Sequence, residues 1–123
     1  MAIPPTVETF AEPLDPHEEL DFRVELGDML EADETIDAAN WSLEVLPEGA
    51  ALGLTIMSGN GRDATLSEDD RAVSFWLSID SGFRDHEAFA GLGTELPLRF
   101  TAQTSSAPAR RRQRTFQVRV AQK

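Results

Sequence analysis

Two histidines are the only side chains here that ordinarily titrate near neutral pH, and their neighbours decide what they could do. His86 stands in Asp85-His86-Glu87, a grouping that suits a metal ligand or an acid–base pair. Adjacent residues of an extended chain point to opposite faces, however, and no second ligand follows at a useful spacing. His17 follows Pro16 in a proline-rich stretch and reads as a solvated side chain. Glu68-Asp69-Asp70 with Asp80 could offer carboxylate oxygens to calcium, but the EF-hand spacing is absent and a solvated acidic turn is the simpler reading. Gly59-Asn60-Gly61 is a turn rather than a phosphate loop, because no Lys-Ser/Thr pair and no helix follow it. There is no G-x-S-x-G elbow, and no cysteine for thiol catalysis, thiolate metal binding or disulfides. The expectation is a protein that is not an enzyme, with no catalytic residue, no cofactor and no metal.

The charged residues say more about partners than about chemistry. The chain carries 22 acidic and 11 basic residues, a formal net charge of −11. A bulk charge of that sign repels phosphate backbones, so nucleic acid is not expected as a partner. The two signs are segregated. Residues 1–37 hold twelve acids against one base, Arg23, whereas residues 101–123 hold six bases and no acid. Four of those bases, Arg110, Arg111, Arg112 and Arg114, form one run. They read either as a solvated hairpin loop or as a contact for an acidic surface, including the acidic arm of an identical neighbour. No window approaches the roughly 18 apolar residues of a membrane-spanning helix. MAIPPTVETF has neither a basic nor an apolar region, so it is not expected to be a signal peptide.

The elements that would carry these side chains are strands. Leu20, Phe22, Val24 and Leu26 alternate with Asp21, Arg23 and Glu25, the period of a strand with one buried face. The same period runs through Trp41-Leu43-Val45, Leu52-Leu54-Ile56, Val73-Phe75-Leu77-Ile79, Leu96-Leu98-Phe100-Ala102 and Phe116-Val118-Val120. A short seventh strand is expected at Ala64-Thr65-Leu66. Turn chemistry separates the runs at Pro47-Glu48-Gly49, Ser58-Gly59-Asn60-Gly61, Asp80-Ser81-Gly82 and Gly91-Leu92-Gly93. Pro97 within its run suggests an edge strand. One helical turn is expected at Asp28-Met29-Leu30. Seven short strands over about 100 residues predict an all-β, immunoglobulin-like two-sheet sandwich.

Residues 1–19 contain Pro4, Pro5, Pro13 and Pro16 and lack periodicity, so they are read as an extended N-terminal arm before a sandwich spanning 20–123. Ile3, Val7 and Phe10 are its isolated apolar residues, and contacts to a neighbouring chain are expected of them. Trp41 shares a face with Leu43 and Val45 and belongs to the core. Trp76 opposes the Phe75/Leu77 face, so it should be covered by the arm, by another loop or by a partner. The partner-binding candidates are therefore Ile3, Val7, Phe10, Trp76, Arg110, Arg111, Arg112 and Arg114.

Taken in order, these segments resemble the small immunoglobulin-like virion proteins of tailed bacteriophages, including the fibre–tail adaptor type. The resemblance spans about residues 13–121. It rests on Pro13-Leu14-Asp15 leading into Leu20-Asp21-Phe22-Arg23-Val24, then Met29–Ile36, Trp41-Ser42-Leu43, Gly53-Leu54-Thr55-Ile56 and Val73–Ser78. It closes with Gly91-Leu92-Gly93-Thr94 and Arg114–Val120. The chain departs from the family at Gly27-Asp28-Met29, at Ile79-Asp80-Ser81 and in the arginine-bearing last hairpin. The resemblance implies a structural part of a virion assembled in the bacterial host cytoplasm. It would act as a tail or fibre adaptor, or as a capsid cement or decoration protein. Its partners would be other virion proteins (the major capsid protein, or tail, connector and fibre proteins) or copies of itself, with no membrane involved. The alternative from a different class is a carbohydrate-binding or host-adhesion sandwich, for which Trp76 is the one candidate platform.

Overall fold

A computed structural model of the chain describes residues 8–10 and 12–123. Eight strands and one short helix follow in the order β1 (Glu8–Thr9), β2 (Leu20–Glu25), β3 (Ile36–Val45), α1 (Pro47–Ala50), β4 (Leu54–Ile56), β5 (Thr65–Leu66), β6 (Ala72–Ile79), β7 (Thr94–Thr104) and β8 (Arg111–Val120). Single 3₁₀ turns occupy Gly27–Met29, Ser81–Phe83 and Glu87–Phe89. One sheet runs β1-β8-β7-β3; the other runs β2-β6-β4, with β5 also on β6. All pairings are antiparallel except that of β1, which lies parallel to β8. This is the expected immunoglobulin-like two-sheet sandwich, with alternate residues of both sheets meeting inside.

The period-two pattern is what places the core. Phe22 and Val24 face inward from β2, and Val73, Phe75, Leu77 and Ile79 from β6. Leu96, Leu98, Phe100 and Ala102 of β7 and Phe116, Val118 and Val120 of β8 close on them from the other sheet. Burying one such Leu, Val or Phe side chain contributes roughly 1.5–3 kcal/mol, so the facing rows carry most of the fold's stability. Phe89 comes from a loop, yet it is fully buried beneath the sandwich end.

Three features differ from the sequence expectation. First, Pro97 does not mark an edge: β7 lies between β8 and β3. Pro97 is tolerated there because its carbonyl accepts from the Leu46 amide, so its missing N–H would point at Leu46 as well. The Leu46 carbonyl is already taken by the amides of Gly49 and Ala50 in the first turn of α1. The ladder therefore loses nothing to the proline. Second, Leu52 follows α1 in a turn, and β4 starts at Leu54. Third, β3 begins five residues before Trp41 and carries a bulge, its register shifting between Ile36 and Trp41. That insertion breaks the alternation and hides the first half of the strand from a pattern search.

The second half of the expected arm is part of the sandwich. The Phe10 amide donates to the Gln117 carbonyl and the Leu14 amide to that of Arg119. Leu14 is wholly buried and bridges to Val120. Phe10 lies with its ring centroid 4.9 Å from Phe22, 5.9 Å from Phe75 and 6.0 Å from Phe116. It thus plugs the side of the sandwich where β2 ends one sheet and the β1–β8 pair ends the other. Among the described residues, Phe10 and Leu14 thus pack into the sandwich from within the stretch 1–19. Ile3 and Val7 lie outside the described residues.

Candidate partner-binding site

The apolar inner face of β8, Val120-Val118-Phe116, continues toward the start of the strand as Arg114 and Arg112. Their cross-strand partners on β7, Phe100 and Ala102, are buried. Cations on a core face need anions, and the acidic stretch between β2 and β3 supplies them. The Arg114 Nη1 reaches the Asp28 carboxylate at 2.7 Å, and the Arg112 Nη2 reaches Glu31 at 3.9 Å. Both Arg110 and Arg112 pair with Glu34, at 3.3 and 3.4 Å.

Glu34 is the hub. Its side chain is only 1% exposed, and one carboxylate oxygen accepts from the Glu31 amide at 3.2 Å. Burial raises its carboxyl pKa. The hydroxyls of Thr104 and Ser106, the Glu31 amide and the Arg112 guanidinium outweigh that and hold it down to about 2. Arg71 fixes the same stretch from the β6 side, donating to the carbonyls of Gly27, Glu31 and Glu34. The loop 26–35 is therefore pinned by four arginines, and the last hairpin is pinned in return.

This arrangement sorts the sequence candidates. Arg110, Arg112 and Arg114 meet an acidic surface, as one of the two readings expected, but it belongs to their own chain. Arg111 differs: it is exposed on the outer face of its sheet, with no ion pair among the described residues. It borders an open depression of about 260 Å³ with Asn40, Trp41, Ser42, Thr101, Ala102 and Gln103. Trp76 is covered by a loop rather than left wet. The Arg62 guanidinium lies 5.1 Å from the ring centroid and is anchored to Glu19 at 2.6 Å. Trp41 stacks on Phe100 at 5.9 Å along the core face.

The histidines have structural partners. The His86 ring nitrogen Nδ1 accepts from the Ala88 amide at 3.0 Å, capping the 3₁₀ turn that delivers Phe89 to the core. His17 contacts Asp85 at 3.1 Å, both side chains being exposed. No group of three or more His, Asp or Glu that could hold a metal occurs among the described residues. Leu92, which the sequence marked only as part of a turn, is the one exposed large apolar side chain among them, at 86%. Its carbonyl is held by Arg119 at 2.8 Å.

Glu34 carries no sequence mark of its own, since most glutamates are exposed. The available signal was the extrapolation of β8's alternation, which puts Arg112 and Arg114 inside and requires a buried acid nearby. Compared with known proteins, the chain matches no family model, no curated protein and no solved structure.

Proposed function

We propose that the chain is a non-enzymatic structural protein of a tailed-bacteriophage virion, attaching to neighbouring virion proteins as a tail or fibre adaptor or as a capsid cement protein. The reading starts from the resemblance carried by residues 13–121. The observation that supports it best is the clamp around Glu34. It fixes the arginine hairpin as a rigid surface, with Arg111 held outward and unpaired among the described residues. A fixed display of side chains suits static assembly better than turnover, because little ordering entropy remains to be lost on docking. Nothing comparable favours the sugar-binding alternative, since Arg62 occupies the face of Trp76.

The test uses purified particles. Quantitative mass spectrometry should find the chain in stoichiometric copies, and an imaged particle should place it at symmetric capsid sites or at a few tail positions. Particles that lack the chain, while it remains free in the lysate, would overturn the assignment.

A further inference from the structure

The chain has two asparagines, Asn40 and Asn60, and the structure sets them in opposite circumstances. Asn40 lies in β3, its side-chain amide donates to the Asp37 carboxylate at 2.8 Å, and bulky Trp41 follows it. Asn60 stands exposed in the loop between β4 and β5, and Gly61 follows it. The Arg62 amide donates to the Gly59 carbonyl at 3.0 Å, so Asn60 and Gly61 are the two central residues of a β-turn. Their φ angles, +53° and +79°, match a type I′ turn, for which Asn-Gly is a favoured sequence.

Neither the Asn60 side chain nor the Gly61 amide makes a hydrogen bond among the described residues. A β-carbon built on Gly61 would meet no heavy atom within 4 Å beyond its chain neighbours. Among the described residues nothing shields the Gly61 nitrogen from water on that side or ties the Asn60 carboxamide away from it. The charged neighbours are Asp63, whose carboxylate accepts from the Gly59 amide at 2.8 Å, and Arg62, which turns to Glu19. Bringing the Gly61 nitrogen onto the Asn60 side chain needs the peptide between them to rotate. Glycine on both sides of Asn60 leaves that rotation few steric barriers.

We infer that Asn60 is a spontaneous modification site, at which the Gly61 backbone nitrogen converts the Asn60 side-chain amide to a carboxylate. Hydroxide takes the Gly61 amide proton, and the nitrogen bonds to the Asn60 Cγ. The bond from Cγ to Nδ2 breaks, and the nitrogen leaves as ammonia after taking a proton from water. The five-membered succinimide then adds one water at either of its carbonyls. Opening at Cγ gives aspartate with the ordinary backbone. Opening at the main-chain carbonyl gives isoaspartate, with the side-chain methylene now in the backbone. Ammonia is lost, water is gained, and nothing is oxidised or reduced. Each event adds one negative charge to a chain of net charge −11. It falls two residues before Arg62, whose guanidinium pairs with Glu19 at 2.6 Å and covers Trp76. The site is independent of the virion reading.

The test ages the full chain in sterile buffer at mildly acidic and mildly alkaline pH, beside a free peptide spanning residues 56–64, until the peptide has converted. Peptide mass mapping follows each asparagine, and an isoaspartate-specific carboxyl methyltransferase labels the lengthened product. Asn60 should convert at least tenfold faster than Asn40, faster at the alkaline pH, within tenfold of the free peptide, and with isoaspartate among its products. Asn60→Gln, whose extra methylene would require a six-membered ring, should abolish labelling at residue 60 while leaving the melting temperature within a few degrees. The inference is overturned if Asn60 persists in the folded chain while the peptide converts, because the turn then protects it. It is also overturned if Asn40 converts as fast as Asn60, or if labelling at residue 60 survives in Asn60→Gln.

Discussion

Phe10→Ala tests whether the N-terminal segment belongs to the domain. Complete burial makes Phe→Ala cost about 3–5 kcal/mol in a core. Phe10 is partly exposed but touches three other phenylalanine rings, one from each of β2, β6 and β8. Scaling for its exposure gives about 2–3 kcal/mol, which includes the aromatic pair terms of roughly 0.5–1.5 kcal/mol each. For a domain of this size 1 kcal/mol moves the melting temperature by about 4 °C, so a fall of about 8–12 °C is expected. Thermal melting followed by circular dichroism, paired with urea titration, measures both quantities. Deleting residues 1–12 should lower the melting temperature at least as far, because β1 goes with the ring. A change below about 0.5 kcal/mol for Phe10→Ala would refute the reasoning: the ring would not be filling the gap between β2 and β8. The sequence alone suggested that outcome, reading these residues as an independent arm.

Other perturbations separate the clamp from the surface. Glu34→Gln leaves Arg110 and Arg112 without their shared anion, and should destabilise the fold well beyond Asp28→Asn, which breaks an exposed pair expected to contribute at most about 1 kcal/mol; urea midpoints of the two variants rank them. Because the folded-state carboxyl of Glu34 sits near 2, below its ordinary 4.5, its contribution is complete above about pH 4.5 and is lost as the pH falls toward 2. Acid titration of the wild type should show that loss, and Glu34→Gln should flatten it. Arg62→Ala should uncover the Trp76 ring, shifting tryptophan emission to the red at a stability cost of about 0.5–1 kcal/mol.

The residues explain why some of this was legible and some was not. Strands with one buried face announce themselves, and β2, β6, β7 and β8 lie where their alternation puts them. β3 was seen only from Trp41 onward, because the residues of its bulge cancel the period upstream. Pro97 misled because proline normally excludes a central strand, and only the competing use of the Leu46 carbonyl by α1 makes it harmless. Leu14 and Phe10 stand singly among prolines and acids, where no period can show that they point inward. The arginine run was conspicuous, but charge alone does not reveal which side chains turn in. That required the strand phase, which sends Arg112 and Arg114 to Glu34 and Asp28 and leaves Arg111 outside.

The parallel pairing of β1 with β8 also sets an order of events during synthesis. β8 follows β1 by about a hundred residues, so neither β1 nor Leu14 can find its hydrogen-bonding partner until about residue 121 has left the ribosome. Until then Phe10 has no Phe116 to rest on, and one side of the nascent β2–β6 pair stays open. The segment around Phe10 is thus made long before it can dock, and closure by Phe10 reports that translation has passed β8. A nascent chain stalled before Arg111 should remain sensitive to proteases and bind chaperones that recognise exposed phenylalanine, whereas one whose residue 121 has emerged should be protected in a single step.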